Sequence, residues 1–287
     1  MAFPLLESPI GDIYLFDGEI IAADSSKADS LREPTDEVTY YETLRVKEGI
    51  PLFFEDHLAR LVKSVKGIEN FEFDTEYIKS QSMLFISNYD SDFDGSLRVI
   101  LTKNHLLIHA VEVGIPTSEN FEEGINTLSF KWERVDPNLK VFRGDYKQAV
   151  ADRFHDSNSH GRPYELVLVD NNNKLYEGSK SNLFVVKGNT VYSAPDEKVL
   201  IGITRNRVMR ALSSTNAEFK IGMFSLDELK NDSEAAVFVS STPFDILPVR
   251  YIDEVEFNFK SNELLMKIMN SYQTFVDEYI ANAKSNK

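Results

Sequence analysis

Short apolar runs bounded by turn residues occupy much of the first part of the chain and predict strands. Hairpin signals stand at Asp17-Gly18, between DIYLF and EIIA, and at Glu48-Gly49, between YYETLRV and IPLFF. SLRVILT and LLIHAVEV turn at Lys103-Asn104 and predict another pair of strands. Apolar residues at helical spacing predict two helices before that pair, over EDHLARLVKSVKGI and about residues 74 to 89. The order β-β-β-β-α-α-β-β indicates an α+β meander, with a loop over the polar residues 24–39.

The polar stretch 114–124, GIPTSENFEEG, predicts a linker between two domains, residues 1–116 and 117–287. Beyond it, a strand near 126–134 and a helix around 146–154 precede a meander of YELVLVD, KLYEG, NLFVV and TVYSA. AAVFVSST predicts a buried strand, and helical periodicity predicts helices over about 203–214 and 261–283. We therefore expect two α+β domains, each with helices and a mostly antiparallel sheet.

Composition narrows the class of protein. The chain has 287 residues, of which 42% are apolar and 11% aromatic, as expected for folded globular domains. A net charge of -15 without a basic cluster argues against a nucleic acid or an anionic membrane surface as partner. No apolar run approaches the roughly 20 residues that span a bilayer. Because the start MAFPLLESPIGD also lacks the basic region of a signal peptide, we expect a cytoplasmic protein.

Metal and thiol chemistry are not expected. The chain has no cysteine, so disulfides, thiolate nucleophiles and cysteine-based metal sites are excluded. Of the five histidines, only His105 and His109 fall within four residues of each other, and the sequence offers no third ligand near them.

Residues 175–206 carry the first candidate site chemistry. Glu177 comes just before an apolar strand, and LIGITR predicts a loop that opens a helix. The start of a helix presents free backbone N–H groups and the positive end of the helix dipole, so it can hold a phosphate. A carboxylate and a phosphate site within one short span suggest a phosphorylated cofactor.

Five segments together resemble one known family. YETLRV (41–46), EDHLARL (55–61), PNLK (137–140), LYEGSKSNLFVVKG (175–188) and VLIGITR (199–205) resemble, in order and spacing, the fold-type IV pyridoxal-phosphate enzymes. These class IV enzymes include branched-chain and D-amino-acid aminotransferases and aminodeoxychorismate lyase. The resemblance runs from about residue 10 to 255 and implies two α+β domains, a cofactor cleft between them and a homodimer.

The resemblance also implies roles for single residues. Lys140 matches the lysine that forms a Schiff base with pyridoxal 5'-phosphate and moves the substrate's α-proton, and Lys147 stays open as a competing choice. Glu177 matches the carboxylate that faces the pyridine nitrogen. The family's phosphate ligands match Arg60, Ile203, Thr204 and Thr242, and Ser241 is the neighbour of Thr242.

Tyr146 matches the tyrosine that hydrogen-bonds the cofactor's phenolate oxygen, displaced by about one position. The stretch VFRGDYKQ after Lys140 departs from the family's usual KxxNYL-like pattern, and SLREPTDEVTYYETLRV lacks the glycines that often precede the YETLRV match. Substrate-carboxylate recognition differs among the subfamilies. Its candidates here are Tyr40, Arg98, Lys103 and Arg143.

The implied function is an aminotransferase of amino-acid metabolism. It moves an amino group between an amino acid and a 2-keto acid through a lysine Schiff base. One alternative is aminodeoxychorismate lyase, which forms 4-aminobenzoate and pyruvate. The other alternative, motivated by the altered stretch after Lys140, is a cofactor-binding homologue without catalysis.

Overall fold

A computed structural model of the chain describes residues 3–6, 9–66, 68, 71, 74–112, 114, 116–141 and 143–285. Contacts group the chain into two compact units. The first unit comprises residues 1–114, 139–144 and 278–287, and the second comprises 115–138 and 145–277. The division into two domains at residues 116 and 117, as the sequence suggests it, stays a prediction.

The first unit contains short strands and three helices among the described residues. In chain order these are β1 (Phe3–Pro4), β2 (Pro9–Phe16), β3 (Glu19–Ala22), α1 (Ser26–Ser30), β4 (Pro34–Thr35), β5 (Tyr40–Lys47), β6 (Ile50–Pro51), α2 (Phe54–Val65), α3 (Thr75–Ile86), β7 (Gly95–Leu101) and β8 (Leu106–Val111).

An antiparallel sheet in the order β3-β2-β8-β7-β5-β6 forms the centre of the first unit. Burial alternates along β5, so Tyr40, Leu44 and Val46 face a core that also includes Leu58 and Leu61 of α2. This alternation is the period-two pattern of a strand, and it separates Tyr40 from its neighbour Tyr41.

Residues 139–144 attach to β5. Val141 forms an antiparallel bridge with Tyr40, and the Tyr41 N–H donates to the Lys140 carbonyl at 3.5 Å. Lys140 is thereby fixed beside Tyr41 within the first unit.

The second unit is built around a larger sheet. Its elements are α4 (Ser118–Glu123), β9 (Ile125–Lys131), α5 (Gly144–Arg153), β10 (Glu165–Val169), β11 (Leu175–Gly178), β12 (Asn182–Lys187), β13 (Thr190–Ser193), α6 (Ile203–Leu212), β14 (Glu218–Ile221), α7 (Leu226–Lys230), β15 (Ala236–Ser241), β16 (Asp245–Ile252), β17 (Val255–Glu256) and α8 (Glu263–Ser285), with 3₁₀ turns at Asp196–Lys198 and Phe259–Ser261. Gly144 of α5 and the end of α8 group with the first unit.

Strand order in this sheet is β11-β10-β9-β16-β15-β12-β13-β14, with β11 also pairing β12 and β17 pairing β16. The pairs β9–β10, β9–β16 and β13–β14 run parallel, and the other described pairs run antiparallel. Nearly continuous apolar runs such as AVFVSS of β15 are buried along almost their whole length, as expected for strands covered on both faces.

The α+β fold predicted from the sequence is confirmed. The turns at 17–18, 48–49 and 103–104 each connect paired strands, and the helices predicted near 55, 74 and 203 begin within a residue or so of those positions. One local prediction was wrong: the polar stretch 24–39 contains α1 and β4, because Ser25 caps a short helix by accepting from the Ala28 N–H. None of the helices in the described part of the chain is long and apolar enough to cross a membrane.

Candidate functional site

In the second unit, a row of three polar side chains begins at Glu177 and runs across three neighbouring strands. Glu177 of β11 lies opposite Asn182 of β12, and Asn182 lies opposite Ser240 of β15. Directly opposite residues of antiparallel strands have their side chains on the same face, so the three polar groups share one face of the sheet. All three are buried, with exposures of 2%, 5% and 1%.

Glu177 accepts hydrogen bonds on both carboxylate oxygens. The Leu200 N–H donates to Oε1 at 2.8 Å, Arg134 Nη1 donates to Oε2 at 3.0 Å, and Asn182 Nδ2 is 3.4 Å from Oε1. Burial raises the pKa of Glu177 to about 7, against the opposing charge of Arg134. A carboxylate has about four lone-pair sites, so Oε2 can accept from one more N–H donor.

The start of α6 packs against this row. Gly202 precedes the helix without a side-chain cap, so the helix begins with the uncapped N–H groups of Ile203 and Thr204. A Cβ on Gly202 would lie only 2.0 Å from Asn182 Oδ1, so a side chain at position 202 would collide with the row. Asn182 Nδ2 also donates to the Leu200 carbonyl at 2.8 Å, which fixes the loop that leads into α6.

Thr204 lies at the start of α6 and is 3% exposed. Tyr272 of α8 donates its hydroxyl hydrogen to Asp245 Oδ1 at 2.8 Å. The contact of Thr204 with a phosphate, through its backbone N–H and its hydroxyl, stays a prediction.

Ser241 and Thr242 lie at the end of β15 and in the turn that follows. Ser241 Oγ donates to the Lys180 carbonyl at 2.8 Å, so the structure ties this predicted site residue to the turn between β11 and β12. Thr242 is partly exposed.

Tyr146 and Lys147 are on α5. The Tyr146 hydroxyl donates to the Ser179 carbonyl at 2.9 Å, so its one hydrogen is committed to the protein, and towards a ligand it can only accept. Burial raises the pKa of Tyr146 far above its ordinary value. Partial burial and the charge of Lys180 lower the pKa of Lys147 to about 8, which keeps Lys147 a chemically reasonable competitor of Lys140.

In the first unit, Arg60 forms part of a buried charged cluster with Glu42 and His57. Arg60 Nε donates to Glu42 Oε1 at 2.7 Å and Arg60 Nη2 to Oε2 at 2.5 Å. His57 Nδ1 is 2.7 Å from Glu42 Oε2. Burial alone would raise the pKa of Glu42, but the charge and hydrogen bonds of Arg60 hold it far below its ordinary value. Burial also lowers the pKa of His57, so its ring is neutral at pH 7.

Lys140 lies against Tyr41, and so does Arg98. Lys140 Nζ is 5.2 Å from the centroid of the Tyr41 ring, and the Arg98 guanidinium carbon is 5.4 Å from it. Arg98 is on β7, opposite His109 of β8. Desolvation lowers the pKa of Arg98.

The other substrate candidates lie elsewhere in the first unit. Tyr40 is buried in the core, edge-on to Phe71 at 5.7 Å between ring centroids, so its packing does not favour contact with a ligand. Lys103 is exposed in the β7–β8 turn, and Arg143 is partly exposed just before α5. Of the four substrate candidates, Arg98 contacts the same aromatic ring as Lys140. That ring belongs to Tyr41 and not to the predicted Tyr40.

Sequence-based prediction did not find several residues of these clusters. Arg134, Asn182 and Glu42 each contact a predicted site residue. Two of them stand inside segments that carry the resemblance, YETLRV and LYEGSKSNLFVVKG, which was a usable signal. The pairing of Arg134 with Glu177 spans 43 positions and follows from packing alone.

The residues present fit a phosphorylated pyridine cofactor. Ser240 Oγ and His57 Nε2 are buried and have no hydrogen-bond partner among the described residues. Such atoms in a folded protein call for a ligand or water. Each belongs to a polar cluster of its own unit: Ser240 beside Asn182 under α6, and His57 beside Arg60. The acceptor at Glu177 suits a ring N–H, and the start of α6 suits a phosphate.

Known proteins are similar to this chain in sequence and in structure. The D-alanine aminotransferase of Bacillus licheniformis is 25% identical over 232 residues, covering 74% of this chain and 78% of that protein. A hypothetical aminotransferase from Mycobacterium tuberculosis, solved with α-ketoglutarate and PMP bound, has a TM-score of 0.73 at 13% identity, covering 93% of this chain and 99% of the other. The 4-amino-4-deoxychorismate lyase of Pseudomonas aeruginosa has a TM-score of 0.72 at 19% identity, with 92% and 99% covered.

The fold defines the class: it is that of the fold-type IV aminotransferases. The sequence model of the family "Amino-transferase class IV" matches residues 39–252, which is most of the chain. The chain therefore belongs to the class IV aminotransferase family, a family of pyridoxal-phosphate-dependent enzymes.

Proposed function

We propose that this protein is a pyridoxal-5'-phosphate-dependent aminotransferase that moves an amino group between an amino acid and a 2-keto acid. The observation that carries the proposal is the position of Lys140 and Arg98 against the same ring of Tyr41. An amine reacts with a carbonyl, and a guanidinium binds a carboxylate through paired N–H donors. A 2-keto acid carries a carbonyl group on the carbon atom next to its carboxylate, and an amino acid carries its amino group there.

The proposed cofactor has support from family membership and from the Mycobacterium tuberculosis relative, whose structure was solved with PMP, the amino form of this cofactor, and a 2-keto acid. When bound, this cofactor supplies an aldehyde that reacts with amines and a ring that withdraws electrons from the substrate's α-carbon. Arg60, the backbone N–H groups of Ile203 and Thr204, and Thr242 are the proposed phosphate ligands.

Glu177 is proposed to hold the proton at the ring nitrogen. Its carboxylate is shielded from water and has acceptor capacity left on Oε2, so it favours the protonated, positively charged nitrogen. A cation at that position in turn favours the ionised form of Glu177.

Lys140 is proposed to take the proton from the α-carbon of the donor amino acid as a neutral amine. In the second half of the reaction it is proposed to deliver a proton to the α-carbon of the product amino acid. Arg98 is proposed to bind the substrate carboxylate, and Tyr41 contacts both basic groups. A fixed carboxylate orients the α-carbon towards Lys140, which is the contribution of positioning to the rate.

The test is a spectroscopic titration of the purified chain loaded with pyridoxal 5'-phosphate. A panel of L- and D-amino acids is added without a keto acid, and we expect at least one donor to change the cofactor's absorbance and to yield its keto acid. Regeneration of the first spectrum by a keto acid completes the test. A chain that stays colourless after cofactor addition would rule out the proposal.

The same assay separates the alternatives when aminodeoxychorismate is added to the panel. The lyase is one of these alternatives, and the 4-amino-4-deoxychorismate lyase of Pseudomonas aeruginosa has a fold similar to that of this chain. Release of pyruvate from aminodeoxychorismate without any amino acceptor would identify the lyase. Cofactor binding without reaction on the whole panel would identify a non-catalytic homologue. The homodimer and the cytoplasmic location belong to the proposal as well, and light scattering on the purified protein tests the dimer.

A further inference from the structure

The turn that connects β11 to β12 is anchored on a buried carboxylate, Glu165 of β10, which is 1% exposed. Ser179 Oγ donates to Glu165 Oε1 at 2.5 Å, and Ser181 Oγ donates to Oε2 at 2.8 Å. Two backbone groups complete the set: the Leu166 N–H donates to Oε1 at 2.8 Å and the Lys180 N–H to Oε2 at 3.3 Å. All four donors are neutral, and they match the acceptor capacity of one carboxylate.

The geometry of the turn leaves little room for change. A Cβ on Gly178 would lie 2.0 Å from Ser181 Oγ and 3.2 Å from Glu165 Oε2. The Gly178 N–H donates to the Ser181 carbonyl at 2.8 Å, and the Ser179 N–H donates to the Leu166 carbonyl at 2.8 Å. Glu165 is thus the side chain around which the turn closes.

This turn joins the two residues that define the polar row. Glu177 immediately precedes the turn and Asn182 follows it, and the two are a register pair. The turn's carbonyl groups also accept from Tyr146, at Ser179, and from Ser241, at Lys180. A displacement of the turn would therefore move Glu177, Asn182 and their contacts together.

We propose that Glu165 is a positioning residue, whose carboxylate anchors the turn at 178–181 and thereby places the Glu177 carboxylate for the ring nitrogen of the cofactor. The inference rests on the proposed function for what Glu177 faces, but not for the link between Glu165 and Glu177. That link also has an electrostatic side, because the negative charge of Glu165 contributes to the raised pKa of Glu177.

Two substitutions separate geometry from charge. Glu165→Gln removes the charge and, whichever way its amide turns, sets an N–H₂ group against a fixed backbone donor, either Leu166 or Lys180. Glu165→Asp keeps the charge but shortens the side chain by one carbon, so it cannot hold all four donors. Glu218→Gln, at an exposed carboxylate paired with Lys220 in the same unit, is the matched control.

The first measurement uses the full-length chain freed of cofactor. Carbon-13 NMR of labelled glutamate carboxyls follows the titration of Glu177, assigned with Glu177→Gln. We expect Glu165→Gln to move the Glu177 midpoint to lower pH, because a neighbouring negative charge is gone. Glu165→Asp should retain more of the wild-type midpoint, and Glu218→Gln all of it.

The second measurement is the dissociation constant of pyridoxal 5'-phosphate, obtained by fluorescence titration. We expect both Glu165→Gln and Glu165→Asp to weaken binding about tenfold, the effect usual for residues that orient a ligand-binding group. Folded variants with wild-type affinity and a wild-type Glu177 titration would overturn the proposal and leave Glu165 a purely structural residue.

Failure of the proposed function gives a different result. If the wild-type chain does not bind pyridoxal 5'-phosphate, the proposed function fails, while the Glu177 titration still decides on the link to Glu165. If Glu165→Gln does not fold, Ser181→Ala removes one donor and leaves the carboxylate in place. Wild-type cofactor affinity in Ser181→Ala would then count against the proposal, and a loss of affinity in the folded variant would support it.

Discussion

Arg134 and Glu177 form an ion pair in the interior of the second unit, with 3.0 Å between Nη1 and Oε2, and yet burial raises the pKa of Glu177 to about 7. Removal from water costs this carboxylate more than one guanidinium returns. Glu177 is therefore poised between its two protonation states near neutral pH in the ligand-free chain. Protonation of this one group gives the chain a measurable pH response.

Glu177 should make the stability of the ligand-free chain fall as the pH rises. Its folded pKa, about 7, exceeds the reference value of 4.5, so the folded state binds the proton more tightly than the unfolded state does. This contribution is fully present below the unfolded pKa and is lost as the pH rises through the folded pKa. Relative to Glu177→Gln, wild type should lose up to about 3 kcal/mol of unfolding free energy between pH 4.5 and pH 8. Urea unfolding at several pH values measures the difference, and parallel stability curves would contradict the expectation.

Replacement of Arg134 should push the Glu177 titration to still higher pH. Arg134→Met removes the positive charge that opposes the effect of burial and keeps a long apolar side chain. The midpoint in carboxyl NMR should move up by about one unit or more. An unchanged or lower midpoint would show that the ion pair does not act on Glu177 in solution. Arg153→Met, at an exposed pair with Asp156, is the control.

Lys140 and Lys147 can be told apart by borohydride reduction of the cofactor-loaded chain. We expect reduction to attach the cofactor to Lys140, with loss of the attachment in Lys140→Ala and its retention in Lys147→Ala. Peptide mass mapping reads the modified residue directly. If the cofactor is attached at Lys147 in Lys140→Ala, the Schiff-base lysine is Lys147 of α5.

The cluster of Glu42, His57 and Arg60 should contribute strongly to the stability of the first unit. Glu42→Gln leaves Arg60 buried without its carboxylate partner and should cost about 3 kcal/mol of unfolding free energy. Asp94→Asn, which breaks the more exposed pair with Arg45, should cost less than about 1 kcal/mol. Denaturant unfolding at pH 7 compares the two variants, and equal losses would contradict the role of burial.

Arg98 should determine the affinity for the substrate carboxylate. In Arg98→Met we expect KM for the amino acid and the keto acid to rise about tenfold or more, the usual effect of removing a charge-assisted hydrogen bond. Lys103→Met, which changes an exposed turn residue that carries the same charge, should leave KM unchanged. A reversed pattern would move the carboxylate site to the β7–β8 turn.

Local signals in the sequence predicted most of the fold. Asp17 and Gly18 both have positive φ angles, 48° and 86°, which is what the Asp-Gly hairpin signal requires. The burial of every second residue along β5 follows the alternation visible in YYETLRV. Several elements escaped prediction. Most of them span only two to six residues, and elements that short carry little periodicity: the helices α1, α4 and α7 and the strands β1, β4, β14 and β17. The strand β16 has eight residues and was missed as well, because Pro248 in its middle is a residue that seldom occurs inside a strand.

The candidate site was predictable only in part. Residues inside characteristic segments, such as Lys140, Glu177 and Arg60, could be named from the resemblance. Their partners could not be derived from spacing, since the Glu177–Arg134 and Glu42–Arg60 contacts depend on how distant segments pack. Tyr41 shows the limit most clearly, because Tyr40 and Tyr41 are chemically alike and only the register of β5 decides which one faces Lys140.

The bridge between Val141 and Tyr40 has a consequence for genetic dissection of this protein. A cut within the polar stretch 114–124 looks natural from the sequence, but it would place Tyr41 on the first fragment and Lys140 on the second. Neither fragment expressed by itself can hold the lysine beside its aromatic neighbour. Recovery of that arrangement on mixing the two fragments would therefore report non-covalent reassembly of the strand β5 with residues 139–144.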